Sequence, residues 1–390
     1  MRFVVFAGMH DPDDIGFWSG TPKHFILGLR RQGHEVITIG PIEPRIPLRG
    51  RLKFHFYRRI RGRTYLMNRD CALLRSRARQ AKAALQRHEP ADAVIVFHTP
   101  DAAYLRCNAP IVLVHDTTWH QLVDFYPDYA RTSMARETVD DGYELDSLAL
   151  RNCDLALFSS QWASGSAIRD YRIDPAKIAA RPFGANLLSV PHRSELQQHI
   201  RRRGTGRCRL LFVGVDWHRK GGEIAVAIAQ QLNDWGVAVE LQIVGCDPPR
   251  VVPDFVHPLG FFPKSDPAAV QRLKQVLSGA DFFVLPTRAD CIPSALIEAA
   301  AFGLPAVTSG VGGIPEIAGD GRWALALPPA APAAEYARWI QASFANREAY
   351  ERMAWAARAD FEDRFNWDRY CQWFCERVQA VGKRRDPDLH

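Results

Sequence analysis

The chain has 390 residues, 47% of them hydrophobic and 24% charged, and a formal net charge of +7, which indicates a globular protein of two or three domains that needs no disulfide staples. Its eight cysteines are scattered without a CxxC pair, which favours reduced thiols over a zinc site. The N-terminal apolar run is too short for a signal peptide and no window approaches the roughly 18 apolar residues of a membrane span, so we expect a cytoplasmic protein.

Short apolar strands alternate with helices through the first part of the chain. Residues 2–7 predict a buried strand, and residues 21–32 predict a helix with its apolar side chains on one face. Further strands are predicted at residues 36–39, 93–97, 111–114 and 155–158. This alternation predicts a parallel sheet covered by helices on both faces.

The alternation breaks at residues 187–207, a polar and basic stretch that predicts a linker. A second series of strands is predicted at residues 209–213, 240–244, 281–285 and 306–308. We therefore predict an α/β fold of two Rossmann-like, doubly wound domains that face a cleft, because such sheets bind ligands at the carboxyl ends of their strands. The N-terminal domain would span residues 1–190 with a C-terminal helix at 366–390, and the second domain residues 207–365.

Much of the positive charge lies in one basic segment, residues 45–79. Eleven arginines and one lysine stand there with a single acid, Asp70. Apolar and aromatic residues are interleaved with these cations: Leu52, Phe54, Phe56, Tyr57, Ile60, Tyr65 and Leu66. Such a segment can bind an anionic membrane face or an anionic acceptor, or it can be a solvated basic surface. Nucleic acid is disfavoured because no recognition module accompanies the charge.

The strongest functional signal lies at residues 281–316. A predicted strand ends in a loop that carries Asp290, and Ser294 can cap the helix that follows. Glu298 lies about one turn into this helix. The open amide groups at the helix start favour an anion such as a diphosphate, while a carboxylate beside them can accept hydrogen bonds from sugar or ribose hydroxyls.

A second signal lies at residues 210–229. A predicted strand runs into Gly214, and the following loop carries Arg219 and Lys220 before two glycines and a helix. Backbone can approach a ligand closely at such glycines, and the two cations suit a diphosphate leaving group. It is not a Walker loop, because the GxxxxGK[S/T] pattern is absent.

Weaker candidates follow other predicted strands. Gly16 and Gly20 in the first loop allow the backbone to approach phosphates. His115 and Asp116 follow the end of a predicted strand, where they are either ligand-binding residues or buried structural residues. The glycine pair Gly312 and Gly313 offers further backbone amides. The Asp-Pro-Asp sequence at residues 11–13 is read as a turn rather than a metal site.

Asp290 and Glu298 are separated by seven residues, which resembles the acid-x7-acid motif of the family 4 glycosyltransferases, retaining enzymes of the GT-B fold. The sequence that follows, AAAFGLPAVTSGVGGIPEI, is similar to the continuation of that motif. The resemblance implies that Glu298 holds the ribose hydroxyls of a nucleoside-diphosphate sugar. It implies that Asp290 holds hydroxyls of the sugar, although the first acid is usually Glu in this family.

The resemblance also implies roles for cations and for the first domain. Lys220 matches the lysine of the family's G-R-x4-K-G pattern, which grips the diphosphate. The arginine position of that pattern is Val215 here, so Arg219 is expected to substitute. His115 is expected to contact the donor sugar, with Asp116 as the other candidate.

The sequence therefore predicts a metal-independent, retaining hexosyltransferase that needs no cofactor. Its donor would be a UDP- or GDP-linked sugar, and its acceptor would be lipid-linked or anionic, in cell-envelope glycan or glycolipid synthesis at the inner face of the membrane. Two alternatives stay open: a nucleotide-sugar epimerase, and a non-catalytic nucleotide-sugar-binding protein on the same fold. A nicotinamide dehydrogenase is disfavoured because no GxGxxG follows the first strand.

Overall fold

The computed structural model describes residues 1–42, 48–204, 206–249 and 251–385. The chain divides into two compact units: the first comprises Met1–Pro182 with the C-terminal segment from Trp367, and the second comprises Phe183–Asn366. Each unit is built on a six-stranded parallel sheet with flanking helices. The predicted α/β fold with two doubly wound parallel sheets is therefore confirmed.

In chain order, the strands of the first unit are β1 (Arg2–Phe6), β2 (Glu35–Ile39), β3 (Ala93–Val96), β4 (Ile111–His115), β5 (Leu155–Phe158) and β6 (Ile178–Ala180). Its helices before the C-terminal segment are α1 (Thr21–Arg31), α2 (Leu48–Ile60), α3 (Cys71–Gln86), α4 (Thr99–Ala103), α5 (Trp119–Leu122), α6 (Arg136–Asn152) and α7 (Gln161–Arg169). Short 3-10 turns lie at Phe17–Gly20, Met67–Arg69, Pro127–Tyr129 and Pro175–Lys177.

The strands of the first unit pair in the order β2-β1-β3-β4-β5-β6, all parallel. Strand β1 is buried on both faces through its four apolar residues Phe3, Val4, Val5 and Phe6, as expected for a strand between two helical layers. Because parallel strands end at the same edge, the loops after β1, β3 and β4 start at neighbouring points.

In chain order, the strands of the second unit are β7 (Cys208–Val213), β8 (Val239–Val244), β9 (Val256–Pro258), β10 (Phe282–Leu285), β11 (Ala306–Ser309) and β12 (Ala324–Leu327). Its helices are α8 (Arg193–Arg202), α9 (Trp217–Lys220), α10 (Gly222–Asp234), α11 (Pro267–Gly279), α12 (Ser294–Ala301), α13 (Ile314–Ala318), α14 (Ala333–Ala345) and α15 (Arg347–Asp363). The sheet order is β12-β11-β10-β7-β8-β9.

The chain returns to the first unit through α16 (Trp367–Arg385). This helix packs on α1: the rings of Phe25 and Phe374 meet edge to face with centroids 5.0 Å apart, and Arg31 forms an ion pair with Asp368. The contact is apolar at its centre and charged at its rim, so the last helix completes the helical layer over β1. The end of the predicted terminal helix, residues 386–390, lies outside the described residues.

The predicted linker at residues 187–207 requires a correction, because most of it folds as part of the second unit. It contains helix α8, which buries Leu196 and Ile200 one turn apart on its inner face. The buried guanidinium of Arg203 donates to four backbone carbonyls at the ends of α11 and α12, those of Leu277, Ser278, Phe302 and Gly303. Thr205, in the same stretch, lies outside the described residues.

We predict that Arg203→Met lowers the free energy of unfolding by about 2–4 kcal/mol, because it leaves buried helix-end carbonyls without donors. Urea denaturation followed by circular dichroism measures the change. Arg201→Met is the matched control, since this side chain of α8 is exposed and its loss should stay within about 0.5 kcal/mol. Equal effects of the two substitutions would contradict the structural role of Arg203.

All eight cysteines lie among the described residues, and none is disulfide-bonded. Over the part of the chain that the structure covers, no helix has the length and apolar character needed to cross a bilayer.

Candidate functional site

The turn between α9 and α10 in the second unit positions Lys220. Gly221 adopts the left-handed conformation with φ +81°, and a Cβ there would collide with the carbonyl oxygen of Pro286. Glycine is therefore required for this turn to pack against the loop after β10. Gly214, at the end of β7, lies against the side chain of Lys220.

Lys220 forms an ion pair with Asp290, and both side chains are largely buried, with 12% and 8% of their surfaces exposed. The two residues follow β7 and β10, which are neighbours in the sheet. A buried ion pair costs desolvation energy that its attraction only partly offsets, so it is a poor device for stability alone. The pair instead places a cation and a carboxylate side by side at the carboxyl edge of the sheet.

Arg219, expected to take the place of the family's diphosphate-binding arginine, makes several contacts within the protein. Its guanidinium donates to the carbonyl oxygen of Ala289 at 3.0 Å and to the Asp216 carboxylate at 3.3 Å. Its own carbonyl accepts from the backbone amide of Arg288 at 2.7 Å. These contacts fasten the Asp290 loop to the α9 turn, so the side chain acts here as a support for that loop.

The second acid of the motif is also paired with a lysine. Lys264 donates to Glu298 Oε1 at 2.5 Å and to the carbonyl oxygen of Asn186 at 3.1 Å. Burial raises the pKa of the Glu298 carboxyl above its ordinary value, although the Lys264 ammonium acts in the opposite direction. Sequence reasoning missed Lys264, because a lysine in the loop after the short strand β9 carries no pattern that distinguishes it.

The start of α12 differs in detail from the prediction. Ser294 is the first helical residue, Pro293 occupies the N-cap position, and no side chain caps the helix. The hydroxyl of Ser294 is thus not the predicted cap. The amides of the first helical turn still point out of the helix start, as the geometry of any helix requires, and Glu298 lies one turn further in.

The glycine pair after β11 supports the same loop. Gly312 has φ +57°, and a Cβ there would collide with the carbonyl oxygen of Asp290. The amide of Gly313 donates to the carbonyl oxygen of Cys291 at 2.8 Å. This amide is therefore already used within the protein, contrary to the expectation that it faces a ligand, and the pair instead holds the backbone around Asp290.

The first unit gathers its candidates at the carboxyl edge of its sheet. His115 is the last residue of β4, and its Nδ1 lies 3.3 Å from the carboxylate of Asp116. The Trp18 ring meets the His115 ring edge-on, with centroids 5.5 Å apart. Trp18 and Ser19 both have positive φ, and such strain in non-glycine residues concentrates at functional sites. Gly16 and Gly20 flank this strained turn, and Gly20 is the N-cap of α1.

Two further residues of this edge were missed from the sequence. His98 follows β3, and burial holds the pKa of its imidazole well below the ordinary range. Asp101 forms a fully buried ion pair with Arg77, at 2.6 Å. Arg77 belongs to the basic segment, as does Arg69, which bonds to Asp146 and stacks on the Trp119 ring.

Residues 45–79 are therefore not one basic surface, because the charged side chains of Arg69 and Arg77 are buried in ion pairs. Residues 45–47 of this segment lie outside the described residues.

The Asp-Pro-Asp sequence is a turn, and Asp13 is occupied by Lys23 and Arg30. Among the residues that the structure describes, one group of three could hold a metal ion: Cys71, Asp141 and Glu144. Burial raises the pKa of the Cys71 thiol and of Asp141, the latter to about 6, which disfavours the charged forms that metals bind. This group lies on α3 and α6.

Two family models match consecutive stretches of the chain. Residues 23–187 match the model described as Glycosyltransferase Family 4, and residues 207–346 match the model described as Glycosyl transferases group 1. A curated relative is WcaL of Salmonella typhimurium, which is named as a glycosyltransferase of colanic acid biosynthesis. It is 28% identical over 233 residues, which cover 55% of this chain and 54% of WcaL. The chain thus matches about half the length of this relative.

Solved structures resemble the chain over nearly its whole length. Sucrose-phosphate synthase from Thermosynechococcus elongatus has a TM-score of 0.71 at 17% identity, covering 98% of this chain and 99% of that one. HepE from Anabaena in complex with UDP has a TM-score of 0.66 at 15% identity, covering 97% and 100%. At these identities the likeness concerns the fold.

Proposed function

Because the chain belongs to the family 4, group 1 glycosyltransferases and has the GT-B fold, we propose that it transfers a hexose from a nucleoside-diphosphate sugar to an acceptor, with retention of configuration and without a metal ion. The observation that carries this proposal is the pairing of both motif acids, Asp290 and Glu298, with lysines at the carboxyl edge of one sheet.

A nucleoside-diphosphate sugar complements both halves of these pairs. Its ribose and sugar hydroxyls are donors that suit the carboxylates of Glu298 and Asp290, and its phosphate oxygens are acceptors that suit the ammonium of Lys220. The amides at the start of α12, beginning at Ser294, add partial positive charge for the diphosphate. Arg219 supports this arrangement by holding the Asp290 loop.

In the proposed reaction the bond from the anomeric carbon to the diphosphate oxygen breaks, and the acceptor oxygen bonds to the same face of the sugar. The leaving phosphate oxygen takes the acceptor proton, so no protein nucleophile is needed. Negative charge that develops on the diphosphate is stabilised by Lys220 and the α12 amides, which supply positive charge in place of a metal ion. His115 is proposed to contact the donor sugar, with Asp116, whose carboxylate lies 3.3 Å from His115 Nδ1, as the other candidate.

The relatives narrow the substrates that we propose. WcaL is named for colanic acid biosynthesis, and HepE binds UDP in its structure. We therefore place the chain in cell-envelope glycan synthesis and rank UDP-linked sugars before GDP-linked sugars as donors.

The test is calorimetric binding of UDP, GDP, ADP and TDP and of their common hexose conjugates. One nucleotide series should bind, and Glu298→Ala should weaken it at least about 30-fold, because hydrogen bonds to a charged group contribute about 1.5–3 kcal/mol each. Glu335→Ala, an exposed acid on α14, is the matched control and should leave binding unchanged. Binding that ignores Glu298 would overturn the assignment of the donor site.

Turnover separates this proposal from its rivals. His115→Ala should keep nucleotide affinity, which rests on the second unit, and should slow sugar transfer. An altered sugar formed from donor alone would indicate an epimerase. Donor binding without any turnover, across a panel of envelope acceptors, would indicate a non-catalytic binding protein.

A further inference from the structure

Helix α2 presents a stripe of large apolar side chains to solvent. Leu52, Phe56 and Ile60 are 60%, 42% and 71% exposed. Because an α-helix has 3.6 residues per turn, these positions, each four apart, lie above one another on one face. Single exposed apolar residues are common, but an ordered stripe of three indicates a surface that another apolar phase covers.

Contacts on the face beside this stripe fix the orientation of the helix. Lys53 pairs with Glu137 of α6. The ring of Tyr57 stacks on that of Tyr65, with centroids 5.6 Å apart, and the buried Tyr65 donates to Asp70 at 2.7 Å. Since these inner residues are held by the first unit, the helix cannot turn its apolar stripe inward without losing them.

Exposed cations flank the stripe. Five arginines with exposed side chains lie on the helix or directly after it: Arg51, Arg58, Arg59, Arg61 and Arg63. No aspartate or glutamate occurs between residues 44 and 69. The guanidinium of Arg61 lies over the Phe56 ring, 5.8 Å from its centroid, so charge and apolar surface are contiguous.

We propose that α2 and the residues up to Arg63 form a docking surface for a membrane rich in anionic lipids. A helix in the plane of the interface would bury Leu52, Phe56 and Ile60 among the acyl chains, while the arginines bind headgroup phosphates. A nucleic acid would satisfy the arginines and leave the aliphatic stripe in water. The inference goes beyond the proposed function and rests on residues outside the donor site.

Co-sedimentation of the full chain with vesicles tests the proposal. The protein should bind vesicles of equal parts phosphatidylglycerol and phosphatidylcholine at least tenfold more tightly than pure phosphatidylcholine, and added salt should weaken the binding. The variant Leu52→Ser, Phe56→Ser, Ile60→Ser keeps every charge and should bind at least tenfold more weakly. The variant Arg58→Gln, Arg59→Gln, Arg61→Gln should lose the preference for anionic vesicles.

Equal charge removal elsewhere in the same unit is the control. Arg75, Arg79 and Lys82 lie on the exposed side of α3, and their triple glutamine variant should bind within about threefold of wild type, since none borders the stripe. The proposal is overturned if wild type ignores anionic vesicles, if the serine variant binds as well as wild type, or if the α3 variant loses as much affinity as the α2 arginine variant.

Calorimetric donor binding by each variant shows that the fold is intact. If a variant of α2 loses vesicle binding and keeps donor binding, the substitution has affected the docking surface and not the donor site. If the Glu298 variant loses donor binding and keeps vesicle binding, the result bears on the proposed donor site and not on the docking surface. If the wild type bound no vesicles, and the wild type and the serine variant bound an oligonucleotide with equal affinity, the partner of this surface would be a polyanion and not a membrane.

Discussion

Lys220→Met is expected to lower kcat about 10²–10³-fold, because it removes the cation nearest to the proposed leaving diphosphate, and a lost donor to developing negative charge has effects of this size. It also leaves the buried Asp290 carboxylate without its partner. Breaking a buried pair on one side destabilises a protein by about 3–5 kcal/mol, so urea denaturation should register the same substitution. Steady-state kinetics and denaturation together measure both effects.

The double variant Lys220→Met, Asp290→Asn separates chemistry from structure. It removes both charges, so most of the lost stability should return, whereas kcat should stay low. Arg338→Met, at an exposed cation on α14 of the second unit, is the control and should change neither quantity. If the double variant regained activity together with stability, Lys220 would be a structural partner of Asp290 and the proposed role in departure of the diphosphate would fail.

The sequence predicted the inner strands of both sheets and missed β6, β9 and β12. These three are edge strands of three or four residues, and they are only partly buried. An inner strand of a parallel sheet is apolar along its whole length and therefore stands out. A short strand with one neighbour carries too weak a pattern to be distinguished from a loop.

The linker prediction failed for a related reason. The stretch around α8 is polar and basic, but Leu196 and Ile200 lie on one helical face. The carbonyl partners of Arg203 lie 74 to 100 positions further along the chain. Its burial depends on those distant helix ends. Local composition alone indicated a solvated segment.

At the candidate site, the residues that share a local motif were predictable and their partners were not. Lys220, Asp290 and Glu298 stand at recognisable positions in strand–loop–helix units. Lys264 reaches Glu298 only because the loop after β9 passes beside α12, and the burial of Arg77 depends on Asp101 in another element. Long-range pairing of this kind is a property of the folded sheet edge.

Glu298→Gln is expected to weaken nucleotide binding at least about 30-fold and, at pH 8, to make the protein more stable by about 0.5–2 kcal/mol, the usual size of a single stabilising substitution. The case differs from that of Lys220, because the lysine left behind, Lys264, is 24% exposed and still donates to the carbonyl oxygen of Asn186. The carboxyl is buried, and its pKa in the folded protein is raised above the ordinary value of 4.5 in spite of Lys264. The folded state therefore disfavours the ionised form. Glutamine keeps the shape of the side chain and removes that charge.

The sign of the pH dependence follows from the same shift. A carboxyl whose folded pKa is raised binds protons more tightly in the folded state than in the unfolded state. Wild-type stability thus falls as pH rises from the unfolded pKa through the folded pKa, while the glutamine variant lacks this contribution. The stability advantage of the variant should therefore be small near pH 4.5 and larger at pH 8, as urea denaturation at the two pH values can measure.

The stability comparison of Glu298→Gln at the two pH values has a matched control and an outcome that would contradict it. Glu335→Gln changes an exposed acid of the same unit and should give the same small difference at both pH values. If Glu298→Gln were less stable than wild type at pH 8, the ion pair with Lys264 would be a stabilising element of the fold. A variant that gains stability and loses nucleotide binding would instead mean that the second unit keeps an unfavourable buried carboxylate because the ribose hydroxyls of its ligand need it.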